Sequence, residues 1–351
     1  MKEMKKENGI SLIVFTLIVV LLVGLAILAY NFIPSIITAK ITIQEAKANA
    51  MLTKTENSLV YDCYGNKIFV PAGFKIVIDS TTNYKESDLS VTKGVVIEDE
   101  KGNQFVWIPV GKIYTNADKT EHKTIKFSRY TFKKDGTYKN IGDSGIEDTD
   151  IKAEVYYKEL ATSEYDNETA KDISEFKKSV SRNGGYYIAR YEARKDSKGE
   201  VSIIKDNKVY NNISQTKAAS LSRKMYGENK NFTSDLMNSY AWDTALVFLQ
   251  TFDTRKNKST PYSMQVSLNT SLNAKGTNSD VICNIYDMAS NCREYTTETY
   301  GYDYMPCITR GGCFSGRIAG KEVASWRCRT QVNPDKYLSE HISFRPLLYI
   351  K

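Results

Sequence analysis

The chain of 351 residues is long enough for one large domain or two small ones, and a hydrophobic content of 41% suffices for a packed core. Its formal charge of +7 is modest for this length, and no dense block of Lys and Arg occurs beyond the extreme N-terminus, which argues against nucleic-acid binding. The two histidines are far apart and no C-x-x-C pair exists, so the sequence does not predict a zinc site.

Residues 1–9 form a polar leader that contains lysines, and residues 10–33 are apolar and carry no charge. About 24 such residues match the roughly 30 Å hydrocarbon thickness of a bilayer, so we expect one transmembrane helix. Lysines on the leader side place the N-terminus in the cytoplasm and the rest of the chain outside the cell. The sequence therefore predicts a single-pass protein of the cell membrane, whose first partner is the lipid bilayer.

The junction at Gly9 and Ile10 resembles the leader of type IV prepilins, in which a peptidase cuts after the glycine and leaves the apolar helix intact. Most pilins carry Glu at the fifth position of the mature chain, where this chain has Val14. That departure does not affect membrane insertion, but it argues against assembly into a filament. Cleavage after Gly9 and an uncleaved signal anchor both remain open.

Residues 34–58 contain no Gly and only one Pro, at the first position, and their apolar residues are spaced loosely as a helix face, which predicts a helical stalk. Residues 59–104 form an N-terminal β segment, which begins with alternating residues around the turn Tyr64-Gly65-Asn66. Residues 95–111 are typical of a hairpin with its turn at residues 99–103.

Beyond residue 111 the sequence mixes strand and helix patterns. The predicted strands are Ile125–Phe132, Tyr186–Glu192 and Val201–Ile204, and the predicted helices are Glu168–Val180, Thr216–Tyr226 and Ser234–Thr251. In the last helix Leu236, Tyr240, Ala245 and Phe248 are spaced to face a sheet, and Asp235 adds negative charge to the first turn. This mixture predicts the α+β class.

Several segments also occur in an order that is characteristic of one family. They are Phe105-Val-Trp-Ile-Pro-Val-Gly111, Gly184-Gly-Tyr-Tyr-Ile-Ala-Arg-Tyr-Glu192, Tyr240-Ala-Trp-Asp-Thr-Ala-Leu-Val-Phe248, Asn284-Ile-Tyr-Asp-Met-Ala-Ser-Asn-Cys-Arg-Glu-Tyr-Thr296, Arg310-Gly-Gly312 and Ser343-Phe-Arg345. This series resembles the formylglycine-generating (sulfatase-modifying factor) family, whose usual run is close to "N-x-Y-D-M-x-G-N-x-W-E-W-T", then "R-G-G-S", then "G-F-R". The resemblance covers residues 105–351 and implies one domain with a variant of the C-type lectin fold.

Enzymes of that family oxidise a cysteine of a sulfatase with a pair of cysteines that follows the Gly-Gly and is thought to hold copper. Soft thiolates suit Cu(I), and two close ones are the minimum for such a site. In this chain Cys313 comes a few residues too early, and Cys328 matches a later, structural position. The required pair is absent, and no other acid, base or nucleophile stands in a recognisable context. We therefore expect no catalytic residues and no redox cofactor.

Calcium is the one ion for which the resemblance offers ligands, at Asn291 and Glu294, and a hydrogen-bonded turn is the alternative there. Arg310 and Arg345 are expected to be structural, because a five-donor guanidinium next to Gly311 and Gly312 ties loop carbonyls together. Phe344 is expected in the core. The six cysteines, five of them in the last third of the chain, fit either disulfides outside the cell or buried thiols.

The remaining exposed segments are the loops 314–325 and 333–341. In lectin-like domains of this type, such C-terminal loops form the ligand-binding face. The candidate ligand-binding residues are Arg317, Lys321, Glu322, Asn333, Asp335, Lys336, Tyr337 and His341. Polar side chains separated by Gly and Ser, together with one aromatic residue, are typical of recognition loops, although ordinary solvated loops have the same composition.

The sequence thus predicts an adhesin-like bacterial surface protein with a membrane anchor, a stalk and a lectin-like domain that binds an extracellular protein or glycan. Two alternatives remain open: an oxidase of the formylglycine-generating type, and a subunit of a pilus or pseudopilus.

Overall fold

The computed structural model describes residues 55–142, 173–205, 208–255, 259–267, 271–272, 280–299, 307–315, 322–330 and 338–351. The chain divides into two units, residues 1–49 and 50–351, and every described residue belongs to the second unit. The described residues are mostly β-sheet with few helices, which agrees with the α+β class predicted from the sequence.

The described strands are β1 (Ser58–Tyr61), β2 (Lys67–Val70), β3 (Phe74–Ile76), β4 (Val96–Asp99), β5 (Gln104–Pro109), β6 (Gly111–Tyr114), β7 (His122–Ile125), β8 (Tyr130–Phe132), β9 (Tyr138–Asn140), β10 (Gly185–Ala189), β11 (Arg194–Lys195), β12 (Val201–Ser202), β13 (Lys208–Val209), β14 (Phe232–Leu236), β15 (Val281–Ile282), β16 (Ile285–Tyr286), β17 (Arg293–Thr299), β18 (Cys307–Arg310), β19 (Arg327–Thr330), β20 (Ile342–Phe344) and β21 (Pro346–Ile350). The described α-helices are α1 (Ser174–Asn183), α2 (Gln215–Lys224) and α3 (Ser239–Thr251).

The larger sheet has six strands in the order β14-β21-β10-β5-β4-β3, and every neighbouring pair is antiparallel. Its central strands β5 and β10 are almost wholly apolar because both faces of the sheet are covered. The last strand of the chain, β21, lies between β10 and β14. The sheet combines strands from both sides of residue 104, where the sequence analysis separated the N-terminal β segment from the following domain.

A second sheet of four strands has the order β19-β18-β17-β20. Strands β17, β18 and β19 are antiparallel neighbours, whereas β20 runs parallel to β17. Helix α3 is buried along nearly its whole length, and Trp242, Leu246 and Phe248 belong to the main hydrophobic core. Because the helix is buried on nearly all sides, most of its residues are apolar, and the exceptions include the buried Asp243.

Three hairpin turns share one local design, the pattern Asp-x-x-Gly followed by Asn or Glu. They begin at Asp62, Asp99 and Asp196 and carry Gly65, Gly102 and Gly199 in the left-handed region at φ of 77°, 84° and 82°. In each turn the Asp Oδ1 accepts the backbone N–H groups two and four residues later, at 2.8–2.9 Å. These bonds lie within five consecutive residues, which is why the turns predicted near residues 64 and 99 are confirmed.

Two sequence predictions are wrong in detail. The predicted helix Ser234–Thr251 is strand β14 followed by helix α3, because Asp235 and Leu236 pair with β21 while the Asn238 side chain caps the helix by accepting the N–H of Ala241. Asn is among the best N-cap residues, so it overrides the earlier Ser as the start signal. The predicted strand Ile125–Phe132 is interrupted: β7 ends at Ile125 and β8 begins at Tyr130.

The predicted leader, the transmembrane segment 10–33 with its junction at Gly9 and Ile10, and most of the stalk 34–58 lie outside the described residues. Within the ranges given above, no helix is long and apolar enough to cross a membrane.

Candidate functional site

The described parts of the two C-terminal loop segments lie at one end of the four-stranded sheet. Strand β18 ends at Arg310, β19 begins at Arg327, and their neighbours β17 and β20 begin at Arg293 and Ile342. The described residues that follow Arg310, precede Arg327 and precede Ile342 are therefore brought to the same sheet end. They belong to the two segments that the sequence analysis selected for ligand binding.

Of the eight candidate ligand-binding residues, the structure describes Glu322 and His341. Arg317, Lys321, Asn333, Asp335, Lys336 and Tyr337 lie outside the described residues. Glu322 is only 5% exposed, and burial raises the pKa of its carboxyl group although Arg293 acts in the opposite direction. The ring of His341 lies 4.9 Å from the ring of Phe314. Both described candidates thus belong to a mostly buried floor at this sheet end and are not exposed side chains.

The sequence analysis missed Arg293, Trp326 and Phe314, which complete this floor. The Arg293 guanidinium lies over the Trp326 ring at 5.9 Å, and its Nη1 donates to Cys328 Sγ at 3.3 Å. Phe314 N–H donates to the carbonyl of Asn291 at 2.8 Å, which fastens the first loop to the motif turn. A signal for Arg293 was present in the sequence, since the family pattern quoted above has Trp at its position. We call Arg293, Phe314, Glu322, Trp326 and His341 the loop floor.

A closed ring of ion pairs lies under the loop floor. Arg310 donates to Asp243 Oδ1 at 2.6 Å and to Glu298 Oε2 at 2.9 Å, and Arg327 donates to Glu298 Oε1 at 2.8 Å and to Asp243 Oδ2. Asp243, Glu298 and Arg310 are fully buried, and the Arg327 side chain is 6% exposed. Burial alone raises the pKa of Glu298, but Arg310 and Arg327 outweigh it and hold that pKa at about 2. The four charges therefore compensate one another.

Arg310 and Arg345 also tie loop carbonyls, as the sequence predicts. Arg310 donates from Nε to Trp326 O at 3.2 Å, and Arg345 donates to the carbonyl oxygens of Ala189 and Tyr286 at 2.8 Å each. Phe344 is fully buried, as predicted. What the sequence did not indicate is that both guanidinium groups bind carboxylates as well.

The two glycines after Arg310 are required by close packing of backbones. Gly311 has φ of 80°, and a Cβ on Gly312 would lie 2.3 Å from Ala289 O and 2.8 Å from Glu322 O. Since both atoms belong to the backbone, no side-chain rotation relieves such a clash. Gly312 therefore holds the first C-terminal loop against the turn that ends at Asn291.

That turn is unusually strained for residues other than glycine. Cys283, Asn284, Asp287 and Asn291 all have φ between 48° and 65°. Asn291 Nδ2 donates to Glu192 Oε2 at 2.5 Å, and Cys292 N–H donates to Glu192 Oε1 at 2.8 Å. Asn291 thus bonds to Glu192, three residues after strand β10. Burial raises the pKa of Glu192 to about 8, against the opposing effect of Arg194.

The side chains at this turn do not fit a calcium ion. Both oxygens of Glu294 are engaged by Arg345, from Nε at 3.0 Å and from Nη2 at 2.6 Å, and both side chains are fully buried. An oxygen held by a guanidinium is a poor ligand for a cation. Among the described residues, no cluster of three or more His, Cys, Asp and Glu could hold a metal ion. Calcium at Asn291 and Glu294 stays a prediction that these contacts do not support.

The described thiols do not fit a copper site either. Cys292 and Cys313 are buried, and burial raises the pKa of Cys292 well above its usual range, so this thiol resists becoming the thiolate that Cu(I) requires. Cys313 Sγ lies 3.0 Å from Ser315 Oγ. Cys63, Cys283, Cys292, Cys313 and Cys328 form no disulfide with one another.

The loop floor thus combines an arginine over an indole ring, a histidine against a phenyl ring and a buried carboxylate. No family model, no curated protein and no solved structure matches the chain.

Proposed function

We propose that this chain is a membrane-anchored surface protein whose domain of C-type-lectin-like fold binds an extracellular protein or glycan through its two C-terminal loops. The observation that supports the proposal is the position of the described parts of both loop segments at one end of the four-stranded sheet, where the Arg293 guanidinium lies over the Trp326 ring. Loops positioned by a scaffold of strands and helices commonly carry recognition sites.

The finer fold assignment rests on the order of the family segments together with their positions in the structure. Two of them, residues 105–111 and 184–192, supply the central pair β5–β10. The final strand β21 pairs with β10, which returns the C-terminus to the middle of the sheet beside the domain's opening strand. The anchor rests on the apolar segment 10–33 of the sequence.

The proposal contains no catalytic step. It is supported by the absence of the family's cysteine pair from the sequence and by the burial of Cys292, which raises the pKa of that thiol. A copper-dependent oxidase remains the competing enzyme hypothesis, and it predicts copper in the purified protein and oxidation of a cysteine-containing peptide. A pilus subunit predicts cleavage after Gly9 and recovery of the chain from sheared filaments.

The test is a binding screen of the full chain in nanodiscs against bacterial and host glycans and surface proteins. For any ligand found, Trp326→Ala, Arg317→Ala and Tyr337→Ala are expected to weaken binding about tenfold or more each, as for truncation of aromatic and Arg hot spots. Tyr138→Ala is the matched control, because Tyr138 is 42% exposed and lies on the β8–β9 hairpin. A ligand that binds all three variants and the control with equal affinity would show that the site lies elsewhere.

A further inference from the structure

A second concave site lies outside the loop floor. It is a groove of about 380 Å³ between the turn that follows β4, strand β12 and the C-terminal end of α2. Its volume falls within the roughly 300–1,000 Å³ that is usual for small-molecule sites. We call it the α2 groove. None of its lining residues belongs to the loop floor.

The walls of the α2 groove are joined by hydrogen bonds. Asp99 Oδ2 accepts from the hydroxyl of Tyr226 at 2.7 Å and from Asn103 Nδ2 at 2.9 Å. Asn103 Oδ1 in turn accepts the backbone N–H of Ile203 at 2.8 Å. The turn at residues 99–103 is therefore fixed both to the end of α2 and to the chain after β12. The groove is formed before a ligand binds, and this lowers the entropy cost of binding.

The floor of the α2 groove is aliphatic and incompletely covered. Val201, Ile204, Leu221 and Met225 line it, and each is half-buried. Four aliphatic side chains left partly open to water at one place favour an apolar ligand group, at roughly 25 cal/mol for each Å² removed from water. Such a floor selects a branched or linear aliphatic group over a polar one.

Two lysines and three carboxylates line the groove. Lys101 and Lys224 supply the positive charges, and Asp196, Glu200 and the hydrogen-bonded Asp99 supply the negative ones. No salt bridge joins any of these five side chains to another described residue. A ligand complementary to these charges bears one positive and one negative group.

We propose that the α2 groove binds short peptides with free termini and aliphatic side chains. The aliphatic side chains cover Val201, Ile204, Leu221 and Met225, the terminal ammonium lies toward Asp196 and Glu200, and the carboxylate lies toward the lysines. The volume limits the occupant to a few residues. This site is independent of the ligand bound by the C-terminal loops.

The test is isothermal titration of the full chain in detergent micelles with the dipeptide Leu-Leu. Binding is expected, with affinity at least tenfold lower for Gly-Gly, which lacks the side chains, and for N-acetyl-Leu-Leu-amide, which lacks the terminal charges. Lys224→Glu and Leu221→Ala should each weaken Leu-Leu binding at least fivefold. Lys198→Glu is the matched control, since Lys198 is exposed in the same turn as Asp196 and does not line the groove.

Three outcomes would overturn the proposal: no heat or saturation with Leu-Leu up to millimolar concentration, equal affinity for Leu-Leu and its capped form, or equal losses from Lys198→Glu and Lys224→Glu. Exposed positions such as Lys224 and Lys198 leave the core intact, so loss of folding does not confuse the comparison. Tyr337→Ala in the loop segment should leave dipeptide binding unchanged, which separates this result from the proposed function.

Discussion

Glu294 and Arg345 are 51 residues apart in the sequence, and in the interior they share two hydrogen bonds with no exposure of either side chain. A buried pair of this kind is strongly destabilising when broken, because the remaining charge has no water and no partner.

Replacing Glu294 by Gln should therefore lower the free energy of unfolding by about 3–5 kcal/mol. Chemical denaturation followed by near-UV circular dichroism measures this change. Lys75→Ala is the control: Lys75 pairs with Glu98 at 2.9 Å, but its side chain is 56% exposed, so a loss of at most about 1 kcal/mol is expected. Equal losses from both variants would contradict the structural role given to Arg345.

The ion-pair ring predicts coupling between its two carboxylates. Asp243→Asn and Glu298→Gln each leave Arg310 and Arg327 with one charged partner, so the second substitution acts on a ring already broken. A double-mutant cycle should give a coupling free energy of about 1–3 kcal/mol, because contacting residues in one network do not behave additively. Additive losses within about 0.3 kcal/mol would show that the ring does not act as one unit.

The same ring predicts a stability change in acid. The folded-state pKa of Glu298 is about 2, below its ordinary value of 4.5, so its ionised form is favoured by folding. Its contribution is present above pH 4.5 and is lost as the pH falls from about 4.5 to about 2. The difference in unfolding free energy between the native chain and Glu298→Gln should shrink over that interval, and denaturant midpoints measured between pH 2 and pH 7 check it.

The raised pKa of Glu192 predicts the opposite dependence of stability on pH. Burial raises its pKa to about 8, so the folded state holds a proton that the unfolded state releases near pH 4.5. Its contribution is complete below pH 4.5 and declines as the pH rises to about 8, with a slope of at most about 1.4 kcal/mol per pH unit. Glu192→Gln should remove this decline. Parallel stability curves for the two proteins between pH 4.5 and pH 8 would refute the assignment.

Gly312 and Gly111 require glycine for two different physical reasons. A methyl group on Gly312 meets two backbone carbonyls, whereas Gly111 has open space at the Cβ position but φ of 97°. Gly111→Ala should cost about 1 kcal/mol from backbone strain alone. Gly312→Ala should cost more and should also shift the loop that follows it, seen as altered tryptophan fluorescence from Trp326 in thermal melts. A smaller loss from Gly312→Ala than from Gly111→Ala would contradict the packing described above.

The sequence predicted those parts of the fold that are determined by residues close together in the chain. The turns at Asp62 and Asp99 are held by bonds from the Asp Oδ1 to N–H groups two and four residues later, and burial of Tyr240, Ala245 and Phe248 follows from helical spacing. It named Arg310 and Arg345 as structural, but it could not supply their carboxylate partners.

Those partners could not be predicted because they depend on tertiary register. Arg310 and Asp243 are 67 residues apart and Arg345 and Glu294 are 51 residues apart, so these pairs exist only in the folded chain. The predicted helix start at Ser234 was wrong for a similar reason. The sequence pattern around Asp235 and Leu236 does not show that these residues pair with strand β21. The departure from the family pattern at Arg293 was detectable in the sequence, but its contacts with Trp326 and Cys328 were not.

The Asp-x-x-Gly turns and the ion-pair ring differ in how early they are able to form. Each turn closes over five residues, whereas Arg327 and Asp243 must meet across 84. The loss of chain entropy on closure grows with that separation. We therefore expect the turns to form early in folding and the ring to form in its last steps. Damage to a turn should then slow refolding, whereas damage to the ring should hasten unfolding and so shorten the lifetime of the native state.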